Sequence, residues 1–402
     1  MILKAFKFRI YPNDTQQVLL NKHFGCARFI YNWGLEQKIQ KYQQENKSLS
    51  CNNLVKGIVE LKKEHEWLTE VNSQSLQMSL RNLDNAYTRF FREKKGFPKF
   101  KNRRGKQSFQ CPQKVKIDFE NKTISLPKVP DIKTVFHREF EGKVKTVTVS
   151  RVPSGKYFVS ILVESPEELV EKQDITEEAT VGIDLGIKDF AILSNGEKVE
   201  NPKYLKKSQS RLKSVQQKHS HRTRVSKKQG FKYSKRREKS RKRLAKQHEK
   251  VTNQRNDFLH KLTHKLVHEN QVNTYCIEDL NVSGMLKNHC LAKSISDVSW
   301  NKFVTLLEYK CEWYGKHLLR IGRFEPSSKM CSVCGCINKD LTLKDRVWKC
   351  DCGVEHDRDV NAAKNIKSFG LHQQNVSYNK YVGKGIPELT LRESVSLETS
   401  MN

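Results

Sequence analysis

The sequence predicts an α+β chain of several domains, and three observations carry that reading. A block of short β-like runs lies between about 113 and 165, helix-periodic apolar positions flank it, and five of the eleven cysteines fall within 22 residues (331–352). At 402 residues the chain is long enough for two or three domains, each with its own core. Lys and Arg number 75 against 44 Asp and Glu, a net charge of +31 that exceeds what solubility needs and suits a polyanionic partner, nucleic acid first. The chain has no run of about 18 apolar residues, and its opening "MILKAFKFRIYPND" is too short and too charged for a signal peptide. A soluble, cytoplasmic protein with no membrane partner is expected.

The opening strand alternates Leu3, Ala5, Lys7 and Arg9 against Lys4, Phe6, Phe8 and Ile10 and stops at Pro12. Helix follows: Leu76, Leu80, Leu83, Tyr87 and Phe90 recur at steps of four and three, which makes one apolar face. Gly96 and Pro98 break it, and "KKGFPKFKNRRGKQSF" (94–109) interleaves Phe97, Phe100 and Phe109 with seven Lys and Arg. Aromatics among cations suit base stacking with phosphate contacts, so Phe97, Lys99, Lys101, Arg103 and Arg104 are candidate nucleic-acid contacts; a solvated linker anchored by its Phe residues reads equally well. Then "VKIDF", "TISLP", "VKTVTVS" and "YFVSILVE" read as strands between turn signals. The acidic "SPEELVEKQDITEEAT" (165–180) reads as a linker, with a new domain from about 178.

Between Lys203 and Lys250 there are 20 Lys and Arg against two Glu. A run of this kind is usually a solvated face, but so large a like charge repels itself unless a polyanion lies against it. Helical arms on nucleic acid are expected here, with Arg222, Arg224, Lys235, Arg236, Arg237 and Arg241 as candidate contacts. Beyond them Phe258, Leu262, Leu266 and Val267 return to a packed helix face, and His260, His264 and His268 read as its polar side.

"TVGIDLGIKDFAILSNGEKV" (180–199) reads as a strand, a tight turn at Asn195-Gly196 and a second strand. Gly182 and Gly186 share a face with Asp184, leaving room above the sheet for a metal ion or a phosphate. In "NTYCIEDLNV" (273–282), Glu278 ends an apolar strand, where a carboxylate is costly unless it is paired or holds a cation; Asp279 can be the turn alone. In "HDRDVNAAKNI", Asp357 or Asp359 opens a helix as a third acid. Three carboxylates from two strands and a helix start are what a two-metal phosphodiester hydrolase needs, with Mg²⁺ or Mn²⁺ on hard oxygen ligands.

Clustered cysteines favour a local metal site over a disulfide framework. "CSVCG" and "KCDCG" form two knuckles with 15 residues between the pairs, and Cys331, Cys334, Cys350 and Cys352 suit a closed, structural Zn²⁺ site. The second pair is C-x-C, so Cys336 stands as an alternative ligand. Cys26, Cys111, Cys276 and Cys311 read as small buried apolar side chains.

The order "GIDLG", basic arm, "IEDLNV", "SWNKFVTLLEYKCEWYGKHLLRIGRFEPSSKMCSVCG", "LTLKDRVWKC" and "HDRDVNAAKNI" resembles TnpB, the transposon-encoded RNA-guided nucleases similar to compact type V CRISPR effectors. The likeness runs from residue 1 to about 370 and is most specific over 180–370. It implies a RuvC-like, RNase H-type nuclease domain (178–328 and 353–370) interrupted by a zinc ribbon (329–352). Ahead of these it implies an oligonucleotide-binding β-barrel, or wedge domain (1–10 and 95–175), with a helical recognition insertion (11–94). Asp184, Glu278 and Asp359 match that family's catalytic acids, which leaves Asp357 a supporting role. The resemblance also implies a guide RNA copied from the transposon end, a double-stranded DNA target beside a short flanking motif, and a bacterial cytoplasm. A non-catalytic regulator of transposition and a strand-transfer transposase are the alternatives. Residues 371–402 read as a disordered tail.

Overall fold

A computed structural model describes residues 2–228, 230, 234–269, 271–342 and 344–373. They fall into two compact units, one from the residues up to Glu168 together with His219–Lys246, the other from Leu169–Lys218 with the described residues from Gln247 onward. The second unit therefore begins some ten residues before the linker end expected near 178, and part of the basic stretch belongs to the first.

In the first unit β1 (Ile2–Tyr11) ends at Pro12, and α1 (Asp14–Glu45) starts at once, because Asn13 and Gln16 cap each other's backbone N–H at 2.8 and 2.9 Å. α2 (Cys51–Glu64) and α3 (Ser73–Arg92) pack on α1 through Leu35, Ile58, Leu76, Leu80 and Leu83, the last three belonging to the apolar face read from the sequence. Then come β2 (Gln107–Cys111), β3 (Lys116–Asp118), β4 (Thr123–Leu126), β5 (Val129–Val135), β6 (Lys143–Arg151) and β7 (Tyr157–Ser165). Together with β1 they form an antiparallel sheet in the order β2-β6-β7-β1-β5-β4-β3, so the described sheet has ends at β2 and β3. Phe8 of β1, Phe109 of β2, Ile124 of β4 and Ile161 of β7 share one core with Leu20 and Phe24 of α1, which means the sheet curls around it.

Two of these strands were not legible. β2 hides behind the cation-rich stretch, and β5 ("VPDIKTV") carries a Pro and an Asp at its second and third positions that read as turn. Phe109 is therefore a core residue, 4 % exposed and packed on His23 and Phe24, and not an aromatic offered to bases.

The second unit holds a five-stranded sheet in the order β10-β9-β8-β11-β12, from β8 (Thr180–Leu185), β9 (Asp189–Leu193), β10 (Lys198–Glu200), β11 (Thr274–Glu278) and β12 (His317–Ile321). Residues 180–199 thus form three strands where two were expected; the Asn195-Gly196 turn joins β9 to β10, and Gly186 helps turn β8 into β9. β8, β9 and β10 are antiparallel, while β11 runs parallel to both β8 and β12. Between β10 and β11 lie α4 (Tyr204–Lys228) and α5 (Lys235–His268), the two helices that carry the basic stretch. α6 (Val282–Met285), α7 (Ala292–Val298) and α8 (Trp300–Trp313) follow β11. After β12 come the hairpin β13 (Val347–Lys349) and β14 (Glu355–Asp357), and then α9 (Arg358–Gln373). The predicted tail loses 371–373 to this helix, and from 374 it lies outside the described residues.

Val181, Ile183, Tyr275 and Ile277 point from β8 and β11 into the main core with Leu259 of α5 and Phe303 of α8. The opposite face is covered by α9. A Cβ on Gly182 would lie 2.0 Å from the carbonyl oxygen of Ala363, and one on Gly370 would lie 2.4 Å from the Cys276 Sγ. The space expected above Gly182 is filled by a helix backbone, not left for a ligand. Gly182→Ala should therefore destabilise the protein by at least about 2 kcal/mol in denaturant unfolding, since the clash is with backbone that cannot swing aside.

Candidate active site

The acids are delivered by the sheet and by α9. β8 and β11 are neighbours in parallel register, with Ile183 opposite Ile277, so Asp184 and Glu278 emerge at the same end of adjacent strands. Asp359 stands in the first turn of α9, which packs against β8 and β11. Burial first, and then the negative charges of Glu278 and Asp359, push the Asp184 carboxyl up to about 7. Asp184 thus feels both other carboxylates, although they come from positions up to 175 residues away in the chain.

Each of the other two acids has a partner. Glu278 accepts a hydrogen bond from Ser327 Oγ at 2.5 Å, and Asp359 is paired with Arg346 Nη1 at 3.1 Å. Asp357 does different work: its Oδ1 accepts the backbone N–H of Asp359 (3.0 Å) and of Val360 (3.2 Å), capping α9, while Lys198 holds its other oxygen at 2.6 Å. Burial raises the Asp357 carboxyl, but the Lys198 ammonium and the two N–H donors outweigh it and hold the group below the usual carboxylate range. Asp279 is more than a turn residue, because Arg323 pairs with it at 2.6 Å.

The thiols of Cys331, Cys334, Cys350 and Cys352 lie within 4.8 Å of one another, among the described residues the one set of three or more His, Cys, Asp or Glu gathered so tightly. The Sγ separations of 3.8 Å (Cys331 to Cys352) and 3.5 Å (Cys334 to Cys350) approach the roughly 3.8 Å edge of a tetrahedron with metal–sulfur bonds of about 2.3 Å. Cys336 is exposed and outside the set; its carbonyl accepts the Cys331 N–H. The Cys336 N–H, chiefly, draws the Cys334 thiol down to about 6. Cys350, although the Cys352 N–H favours its thiolate, is held up to about 12 by burial and by its sulfur neighbours. Such sharing of protons among crowded thiols is what a single cation would relieve.

α9 ties the two clusters together. Asn361 and Asn365, both buried, take the Met330 carbonyl at 2.7 and 2.6 Å; Asn365 also takes the Ser327 carbonyl, and Asn361 accepts the Ser332 N–H. Neither these asparagines nor Ser327 and Arg346 were singled out from sequence. The one available signal was Asn at steps of four on a helix face that also bears Ala362 and Ile366, where a polar side chain needs a partner.

The candidate nucleic-acid contacts differ in what they are free to do. Lys99, Arg103, Arg104, Arg222, Arg224, Lys235 and Arg236 are exposed, and Arg237 is half-buried. Phe97 is half-exposed, its ring edge-on to Tyr87 and Phe90. Lys101 is exposed as a residue but holds its ammonium 3.7 Å over the Tyr31 ring, where local desolvation, then Lys106, lowers its pKa to about 8. Arg241 is committed within its own unit, to Glu238 at 2.6 Å and the Pro153 carbonyl at 3.2 Å.

Against known proteins, residues 160–289 match the OrfB family described as "Probable transposase", 300–366 match "Cas12f1-like, TNB domain", and 1–47 match the OrfB family's "Helix-turn-helix domain". Over 375 residues the chain is 40 % identical to a "Putative RNA-guided DNA endonuclease" of Streptomyces pristinaespiralis, covering 92 % of this chain and 90 % of that one. The chain belongs to the TnpB family. A second member, the "Putative RNA-guided DNA endonuclease InsQ" of Escherichia coli (strain K12), is 32 % identical over 386 residues, 92 % of each chain. The fold of this TnpB-family chain is similar to the solved "Cryo-EM structure of the Cas12f1-sgRNA-target DNA complex", with a TM-score of 0.56 at 14 % identity over 91 % of this chain and 98 % of that one. The segment matched as helix-turn-helix is here a strand followed by one continuous 32-residue helix.

The burial of Asp184 beside two further acids has a measurable consequence. A carboxyl at about 7 in the fold and near 3.9 unfolded binds its proton more tightly when folded, so its contribution to stability falls as pH rises from about 4 to about 7 and is gone above that. At pH 8 without divalent ions, Asp184→Asn should melt higher than the native protein by at least about 2 °C. Added Mg²⁺ should raise the native melting point and leave that of the variant nearly unmoved.

Proposed function

We propose that this protein is an RNA-guided, metal-dependent DNA endonuclease. The observation that carries the reading is the convergence of Asp184, Glu278 and Asp359, in a TnpB-family chain of net charge +31. A strongly basic protein that brings three carboxylates together gives up favourable charge there unless a cation restores it, and hard oxygen donors of this kind suit Mg²⁺ or Mn²⁺. The raised Asp184 carboxyl and the Arg346 guanidinium beside Asp359 both fit a centre made for positive charge. Bound there, two such ions would activate a water and stabilise the leaving 3′ oxygen of a phosphodiester.

The chain's own part is to hold these groups in place. β8 and β11 fix Asp184 and Glu278, α9 carries Asp359 at its start, and Asp357 and Lys198 cap and anchor that start. The sheet order, with three antiparallel strands followed by two parallel ones, fits a RuvC-like nuclease of RNase H type, and the cysteine segment fits a zinc ribbon inserted in it. The curled seven-stranded sheet fits the oligonucleotide-binding barrel and α1–α3 its helical insertion. In this reading the guide RNA derives from the transposon end and pairs with one DNA strand, and the protein reads a short flanking motif. The exposed cations of 99–104 and of α4 and α5 would contact the nucleic-acid backbones.

To test it, the protein is purified from cells carrying its native flanking DNA, and the RNA that comes with it is sequenced. The complex is then given Mg²⁺ and matching double-stranded DNA behind a randomised flank. Guide-dependent cutting is expected, reduced in Glu278→Ala by at least about 100-fold, or roughly 3 kcal/mol of barrier. RNA without cutting points instead to a regulator of transposition, and joined ends to a strand-transfer transposase. One Zn²⁺ per chain is expected by elemental analysis, and Cys350→Ser should lose the zinc together with part of the melting temperature.

A further inference from the structure

Glu278 and Asp359 are steadied by opposite means. Asp359 has a cation beside it, Arg346, which a metal ion would have to displace. Glu278 has a neutral donor, the Ser327 hydroxyl on Oε1, which directs the carboxylate without cancelling its charge. That hydroxyl sits on a fixed mount. Ser327 is 5 % exposed, its N–H donates to the Glu325 carbonyl at 2.8 Å, and its own carbonyl accepts from Asn365 Nδ2 at 2.7 Å. Asn365, 1 % exposed, lies on the helix that bears Asp359, and the same amide group grips Met330, next to the first zinc-knuckle cysteine.

We propose that Ser327 is the positioning residue of Glu278, locked by Asn365 so that one carboxylate oxygen is taken by a neutral donor and the other is left to a divalent cation. This rests on the metal-centre reading above and adds to it a specific chain of contacts, from α9 through Asn365 and Ser327 to the acid on β11. Outer partners of metal-binding carboxylates typically account for about 10–100-fold in metal affinity. A buried serine whose hydroxyl reaches the carboxylate, and whose backbone is pinned at both ends, has the geometry to supply it.

The test uses the full chain with its RNA and reads Mn²⁺ binding by electron paramagnetic resonance of the free ion, alongside the Mg²⁺ dependence of cutting and the zinc content. Ser327→Ala should weaken Mn²⁺ binding by about 10–100-fold and shift the half-saturating Mg²⁺ by a like factor. Its cutting rate at saturating metal should stay within a few-fold of native, its zinc should be retained, and Ser327→Thr, which keeps the hydroxyl, should recover most of the affinity. If Ser327→Ala fails to fold, the nearly isosteric Ser327→Cys carries the same test. Unchanged Mn²⁺ affinity in a folded variant overturns the role of Ser327, as does a cutting defect that no concentration of metal repairs. A native protein that binds no Mn²⁺ overturns the metal centre itself, and this inference with it.

Discussion

The second unit depends on how closely α9 lies on β8 and β11. Gly182 beneath Ala363, and Gly370 above Cys276, let a helix backbone rest on the sheet where any side chain would hold it off. Because the helix starts at the end of the sheet where Asp184 and Glu278 emerge, that seat sets the position of Asp359. Asn361 and Asn365 then use the same helix to hold the cysteine segment. One packing contact thereby fixes the third acid and the thiol knot together.

Electrostatics sets a condition that packing alone does not meet. Burial, and then the charges of Glu278 and Asp359, raise the proton affinity of Asp184, whose carboxyl stands near 7. The local remedies are modest and differ in kind: a guanidinium on Asp359, a hydroxyl on Glu278, and a helix N-terminus whose own cap is Asp357. Two of the three come from the segment around the cysteine knuckles, Ser327 just before the first and Arg346 just before the second. That segment is thus part of how the acids are held, beyond any fold stability the thiols bring.

Much of this was legible in the sequence, and the failures share a cause. Alternation marked β1, β-branched and aromatic runs between turn signals marked β6 and β7, and steps of three and four marked α3. Glu278 stood out because a carboxylate at the end of an apolar strand is costly and so calls for an explanation, whereas Asp359 was told from Asp357 only by the family resemblance. β2 and β5 were missed because cations, Pro and Asp mask strands whose burial comes from the distant partners they pair with. Gly182 was noticed but misread: a missing side chain signals close approach, and only tertiary structure says whether a ligand or a helix makes it. Ser327 and Arg346 were invisible for a related reason, since a serine or an arginine in a loop carries no pattern until the fold brings an acid to it.

The most direct test of the account is a crystal structure of the protein grown with Mn²⁺, with anomalous scattering collected at the manganese and zinc edges. Manganese between Asp184, Glu278 and Asp359, with Arg346 moved off Asp359 and zinc among Cys331, Cys334, Cys350 and Cys352, is the predicted result. Manganese bound only at surface acids, with Arg346 still on Asp359, would contradict it.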